Sequence, residues 1–301
     1  MNIKYALSPL LAVLIWAINT SVNKLAADVI DSAAISFYRW LLAGLLLAIF
    51  FARPVWRHRQ RAIPFLPKLF VLGILGMVLY QCLAYVAAQS TSVTNMGVIA
   101  SLMPLIALGL GVTLLGNPAT IGGVVGGVLS LSGLAYLLSQ GEPALLLSHG
   151  LVLGDGLMLI ASFSYAAYSV LLKRWAIPLP IWHSLLIQVW LVLPVLLVYY
   201  LWHAAPPLTL AGLPLVLYAG IPASILAPFF WMHGVARLGP SRATALMNLL
   251  PIFTVIVAVL FLGEHLHRYH VIGGGITLLG VVLAQYLKQP LGRRPAAPGN
   301  Y

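Results

Sequence analysis

The sequence predicts an all-α polytopic membrane protein of ten transmembrane helices built from two inverted five-helix repeats. Three observations lead there. Of the 301 residues, 61% are hydrophobic and 7% charged, whereas a water-soluble domain carries about 25% charge. Ten apolar runs follow one another, each near 20 residues, and about 20 apolar residues cross a hydrocarbon layer roughly 30 Å thick. The second half also repeats glycine and proline positions of the first. Barrel strands are excluded because they alternate apolar and polar residues, while Leu41 to Phe51 is continuously apolar.

The first run, 6–26, follows Lys4 and continues past Asn19 to Lys24, which reads as a retained helix rather than a cleaved signal. Asp28 to Ser32 separates it from 33–52, and the basic stretch Arg53 to Lys68 leads into 65–87. Gln89 to Ser92 precedes 94–115, and the turn Gly116-Asn117-Pro118 precedes 119–138. Ser139 to Gly150 connects to 151–172, and Lys173 to Pro180 to 181–201. The last three runs are 211–236, 242–262 and 268–287, set off by His203 to Pro207, Arg237 to Arg242 and Gly263 to His267.

Charge distribution tests that count. Short cytoplasmic loops collect Lys and Arg. With both termini inside, Lys4, Arg53, Arg57, Arg59, Arg61, Lys68, Lys173, Arg174, Arg237, Arg242, Lys288, Arg293 and Arg294 fall inside, thirteen of the 16 basic residues. Asp28, Asp31, Glu142 and Glu264 fall outside, with Asp155 near that face. The expected topology is thus multi-pass with cytoplasmic termini. The net charge of +11 is spread over these loops and gathers on no solvated face, so no nucleic-acid partner is expected. Cys82 is the single cysteine, which excludes an internal disulfide.

At an offset of 147, Pro104 meets Pro251, Gly116 meets Gly263, Gly126 and Gly127 meet Gly273 and Gly274, and Gly133 meets Gly280. At 149, Lys24 meets Lys173. The repeats are placed at 1–147 and 148–301 in one integrated membrane domain. Five helices per repeat is an odd number, so the second copy enters from the opposite side. Inverted repeats around a midplane site recur in secondary transporters. The pattern of two five-helix halves, with Phe261-Leu262-Gly263-Glu264 before the glycine-patterned Ile272 to Gly280, resembles the EamA-type drug/metabolite transporter superfamily over nearly the whole chain. That resemblance implies export of metabolites, with aromatic amino acids among the expected substrates. Asn117 stands where the second half has Glu264, so a role for that carboxylate is not expected in both halves.

Polar groups at bilayer depth are costly unless satisfied by protein or cavity water, so midspan polar and aromatic residues are the candidates. Trp16, Asn19, Thr20 and Asn23 share one helix face. Their repeat counterparts include Tyr165 and Tyr168, beside Ser162. Tyr80, Gln81 and Tyr85 on the third span, Trp231 on the eighth, Asn95 and Ser101 on the fourth, and Asn248 on the ninth complete the substrate-binding candidates. A second reading, packing through satisfied polar groups, stays open for these stripes. Pro222 and Pro228 are expected to bend or break the eighth span, because proline removes a backbone donor. Pro104 and Pro251 occupy one repeat position and are candidate hinges. Arg39, inside a span, either snorkels outward, pairs with Asp28 or Asp31, or attracts or gates an anionic group. Ser241 and Thr244 extend the polar stripe of Asn248 and Pro251. Gly122/Gly126 and Gly123/Gly127 are read as close-packing positions.

No GxSxG, HExxH or Walker sequence is present, so no enzyme, no cofactor and no catalytic or metal site is expected. A carrier fits the fused repeat better than a channel. The expected partners are a small-molecule substrate and the lipid bilayer, with oligomeric state left open. Aromatic faces among Asn, Gln, Ser and Tyr suit amino acids with apolar side chains, whereas a phosphorylated substrate asks for several midspan cations. Energy coupling stays open between downhill exchange and a peripheral group such as Asp155 or Glu264.

Overall fold

The computed structural model describes residues 3–142, 152–238, 246–287 and 289–290. They form α1 (Ile3–Ala27), α2 (Ser32–Arg57), α3 (Arg59–Ala87), α4 (Val93–Leu115), α5 (Ile121–Leu138), α6 (Leu153–Trp175), α7 (Ile181–Trp202), α8 (Leu213–Gly234), α9 (Leu250–Leu262) and α10 (Arg268–Tyr286). Nine of these are long and apolar enough to cross a membrane, and α9 is a shorter apolar helix. Residues 239–245, with Ser241 and Thr244, lie outside the described residues.

The bundle turns apolar side chains outward, as a lipid solvent requires. Ile49, Phe50, Val128, Leu260 and Phe261 are all exposed. One expectation fails between α2 and α3: Arg53 to Lys68, read as a separator, is almost continuously helical. Arg, Lys and Gln are good helix formers, and charge marks where a helix leaves the bilayer, not where it stops.

The antiparallel pair α5 and α10 carries the repeat symmetry. A Cβ on Gly126 would meet the Gly280 carbonyl, and one on Gly133 would meet the Gly273 carbonyl at 2.7 Å. Between them Ser130 donates its hydroxyl to Thr277 O at 2.9 Å, while the single hydroxyl hydrogen of Thr277 has Gly273 O at 2.8 Å in its own helix and Ser130 O at 3.4 Å as acceptors. Ser130 and Thr277 are themselves 147 residues apart, so each half supplies the same residue position to this contact. Of the two glycine registers, only Gly122 and Gly126 enter the tight interface; Gly127 meets a leucine side chain at 3.7 Å.

Two further irregularities repeat. The helix of α4 is interrupted at Ser101–Leu102 and α9 begins after a turn at Asn248–Leu249, with Pro104 and Pro251 in the first turn that follows. Each proline lacks the donor that would continue the preceding turn. Both helices then end on a left-handed glycine, Gly116 at φ 67° and Gly263 at φ 65°. The third helix of each half contains a π-helical segment, Ile74–Leu79 in α3 and Ala219–Leu226 in α8. Pro222 lies inside the second, as expected of a distorted helix. The first has no proline, so the distortion belongs to the repeat position and not to Pro222 alone. Pro228 sits where regular helix resumes at Ala227.

Candidate functional site

The first helix of each half packs on the third helix of the other: α1 on α8 and α6 on α3. Both contacts include aromatic rings. Trp16 on α1 lies 5.9 Å from Trp231 on α8, and its indole N–H donates to Ala223 O at 3.2 Å. That carbonyl belongs to the π segment around Pro222, so the irregular turn does present a backbone acceptor, and a side chain of the other half takes it. Tyr165 on α6 lies 4.9 Å from Tyr80 on α3 and 5.4 Å from Tyr168. A Cβ on Gly76 would sit 3.0 Å from the Tyr168 ring, so the absent side chain leaves the ring its place. Trp16, Trp231, Tyr80, Tyr165 and Tyr168 are each half-buried, keeping ring surface accessible between helices.

The polar candidates divide. Asn19 is buried and donates to Asn23 Oδ1 at 3.4 Å, while its own Oδ1 has no partner among the described residues. Ser162 is buried, and its hydroxyl has no partner among the described residues. Ser101 instead donates to Val98 O at 2.6 Å, within its own helix. Asn248 exchanges hydrogen bonds with Gln285 on α10, at 3.3 and 3.4 Å, apart from the aromatic pairs. Gln285 escaped the sequence reading although it is an amide within the last span. An apolar cleft of 590 Å³ between α2 and α8, lined by Leu46, Phe50, Ile225 and Phe229 among others, lies outside this set and offers it no polar group.

Arg39 neither snorkels nor pairs with an aspartate. It is 2% exposed; Nε donates to Ser224 Oγ at 2.8 Å, and Nη1 donates to Gln81 Oε1 at 2.8 Å and Tyr85 OH at 3.2 Å. Asp31 is committed elsewhere, accepting from Ala33 N and Ala34 N at the start of α2. Gln81 and Tyr85 are i and i+4 on α3, one helix face, and Ser224 is fixed by donating to Ala219 O at 2.7 Å in the π segment. Arg39, Gln81 and Tyr85 thus form one cluster, with Ser224 a member that sequence spacing did not reveal.

Asn95 belongs to another group, at the end of the bundle that carries Glu264. Its Nδ2 donates to Asp155 Oδ1 at 3.3 Å, as does Thr91 Oγ1. Lys24 Nζ donates to Ala88 O at 2.8 Å and Thr91 O at 3.0 Å. Glu264 accepts from Val93 N at 2.7 Å, Thr94 N at 3.1 Å and Thr94 Oγ1 at 2.7 Å, while Ser92 Oγ accepts from Asn95 N. Three orphan N–H groups of α4 are so satisfied, and a carboxylate at a helix N-terminus also complements the helix dipole. Glu264→Ala is expected to cost about 1–3 kcal/mol, read as a lower melting temperature in detergent, with Glu264→Gln losing less. The helix start that Asn117 would cap by the repeat lies outside the described residues.

Among the described residues no group of His, Cys, Asp and Glu could hold a metal ion. What the arrangement offers is binding chemistry: aromatic faces, amides, hydroxyls and a buried cation, held between two similar halves.

Sequence comparison agrees with that description. The EamA-like transporter family matches twice, over residues 3–139 and 152–286. An uncharacterized transporter of Archaeoglobus fulgidus is 28% identical over 94% of this chain and 98% of its own length. A probable terminal-alkyne amino-acid exporter of Streptantibioticus cattleyicolor is 26% identical over 96% of each chain. Protein PecM of Dickeya dadantii is 30% identical over 72% of this chain and 73% of its own. A crystal structure 19% identical in sequence superposes with a TM-score of 0.60, covering 98% of this chain and 99% of that one, which shows a shared fold.

Proposed function

This chain belongs to the EamA-like transporter family, and from that premise we propose that it exports amino acids with aromatic or other apolar side chains. It is a multi-pass membrane transporter, not an enzyme. In the proposed reading it works by alternating access across a bacterial inner membrane, with both termini cytoplasmic. The observation that carries the reading is the pair of matched aromatic contacts, Trp16 on Trp231 and Tyr165 on Tyr80, each joining one half to the other. Rings at those junctions supply apolar contact to a side chain, and rearranging the halves changes which rings are open.

Asn19, Gln81, Tyr85, Ser162 and Tyr168 are the polar and aromatic residues proposed around them, and Asn95, Ser101 and Asn248, set apart from the rings, are proposed to meet the substrate elsewhere on its path. Pro104, Pro222, Pro228 and Pro251 are the proposed flexing positions, since a helix without one of its ladder bonds bends at lower cost. Support for an amino-acid substrate comes from the Streptantibioticus cattleyicolor relative, named as a probable amino-acid exporter. It comes also from Arg39, the single buried arginine among the described residues.

The test is counterflow in proteoliposomes with labelled phenylalanine, leucine, glutamate and a sugar phosphate. Phenylalanine and leucine are expected to exchange and the sugar phosphate not. Trp16→Ala and Tyr165→Ala proteins that remain inserted and monodisperse are expected to lose phenylalanine exchange about tenfold or more, the equivalent of most of a buried aromatic contact. Exchange of the sugar phosphate in place of amino acids, or unchanged exchange in both variants, refutes the reading.

A further inference from the structure

We infer that Arg39 is the carboxylate-binding residue of this transporter, holding the substrate's acid group through its Nη2 edge. The inference rests on the amino-acid reading above and adds the contact that recognises the backbone end of that substrate.

A guanidinium has five N–H donors: one on Nε, two on Nη1 and two on Nη2. The described residues use three. Nε donates to Ser224, and Nη1 to Gln81 and Tyr85. Nη2 meets no described partner and is not among the fully enclosed orphan atoms of the structure, so its two donors are left over in a residue that is otherwise buried. Every described group that Arg39 hydrogen-bonds is neutral. Trp40 adds the face of its ring 5.4 Å from the guanidinium carbon, which attracts the cation without cancelling its charge.

A buried charge in a membrane protein is expensive and is ordinarily paired. Here the side chain is fixed from three helices, α2, α3 and α8, and turned so that its unused donors share one nitrogen. Gln81, Tyr85 and Ser224 therefore act as positioning residues. Lys24, near the end of α1, is spent on Ala88 O and Thr91 O. A cation with two unused donors matches one carboxylate and leaves a phosphate dianion uncompensated. Tyr80 directly precedes Gln81 on α3 and packs on Tyr165 at 4.9 Å, so the aromatic contact lies one residue along the helix from the Arg39 cluster.

The experiment separates the two readings. Purified wild-type protein in detergent is titrated with phenylacetate, phenylacetamide and inorganic phosphate, following the melting temperature, and counterflow of labelled phenylalanine is competed with phenylalanine and phenylalaninamide. The acid is expected to act about tenfold to a hundredfold more strongly than its amide in both assays, as a charge-assisted contact does, and phosphate not at all. In Arg39→Gln the acid-to-amide ratio is expected to fall to about one, with Arg39→Lys intermediate; a ratio within one protein is independent of how much protein folds. Wild type that shows no preference for the acid, or Arg39→Gln or Arg39→Lys that keeps the full preference, overturns the assignment. Phenylacetate stabilisation dependent on Arg39 in a protein that moves no amino acid supports this assignment and refutes amino-acid export.

Discussion

Gly280→Leu is expected to yield no stable, monodisperse protein, whereas Gly275→Leu, five residues earlier on the same helix, is expected to be tolerated. A Cβ at Gly280 would lie within 2.5 Å of Gly126 O and of Ser130 N. Both are backbone atoms of α5 and cannot rotate away. The substitution must push α5 and α10 apart, break the hydrogen bond from Ser130 to Thr277 O, and forfeit close packing, which in lipid is the main attraction between helices. Overpacking a core commonly costs about 1–3 kcal/mol; here, against backbone and along a whole helix pair, the cost is expected to exceed about 3 kcal/mol. A Cβ on Gly275 would meet no atom within 4 Å and would face outward, so leucine there gains helix propensity. Size-exclusion profiles and melting temperatures in detergent decide it. A Gly280→Leu protein that melts within a few degrees of wild type would mean that α5 and α10 do not depend on this close approach.

That interface was also the most legible part of the sequence. Close approach demands an absent side chain, so Gly126, Gly133, Gly273 and Gly280 leave a mark that survives the uniform hydrophobicity around them. The apolar runs were legible for a similar reason, since a lipid solvent selects every outward residue alike. The π segments were not, because Ile74 to Leu79 carries no proline and reads as ordinary helix. Arg39 was visible as a buried charge, but its partners were not: Gln81, Tyr85 and Ser224 lie 42, 46 and 185 residues away, and no periodicity on one helix reports a contact made by three. Repeat register matches Trp16 with Tyr165, and midspan position marks Tyr80 and Trp231, whereas the pairing across the halves, Trp16 with Trp231 and Tyr165 with Tyr80, comes from packing alone. Asn95 and Ser101 show the converse limit. Their residue types suggested a ligand site, and in the structure one joins Asp155 and the other its own helix.

Lys24→Met is expected to open the Glu264 end of the bundle, the end that charge distribution places outside. In the structure Lys24 reaches Ala88 O and Thr91 O just past the end of α3, where carbonyls have no helical partner and the helix dipole favours a cation. Thr91 in turn donates to Asp155 on α6, so one short segment ties α1, α3 and α6 together. Lys173, the counterpart of Lys24 in the second half, is exposed. If the halves exchange roles during transport, a bound Lys24 and an exposed Lys173 describe a molecule shut at the Glu264 end, and the two lysines bias one equilibrium in opposite directions. Methionine keeps the length of the side chain and removes two charge-assisted hydrogen bonds, each worth about 1.5–3 kcal/mol, a loss large enough to shift a two-state population tenfold or more. The measurement uses Asn23→Cys, one residue from Lys24 and buried, in a Cys82→Ala background, labelled with a membrane-impermeant maleimide from the outer side. Labelling is expected to accelerate about tenfold with Lys24→Met and to slow with Lys173→Met. Equal rates in all three proteins would mean that this contact is only packing and that the closed end is held by other groups.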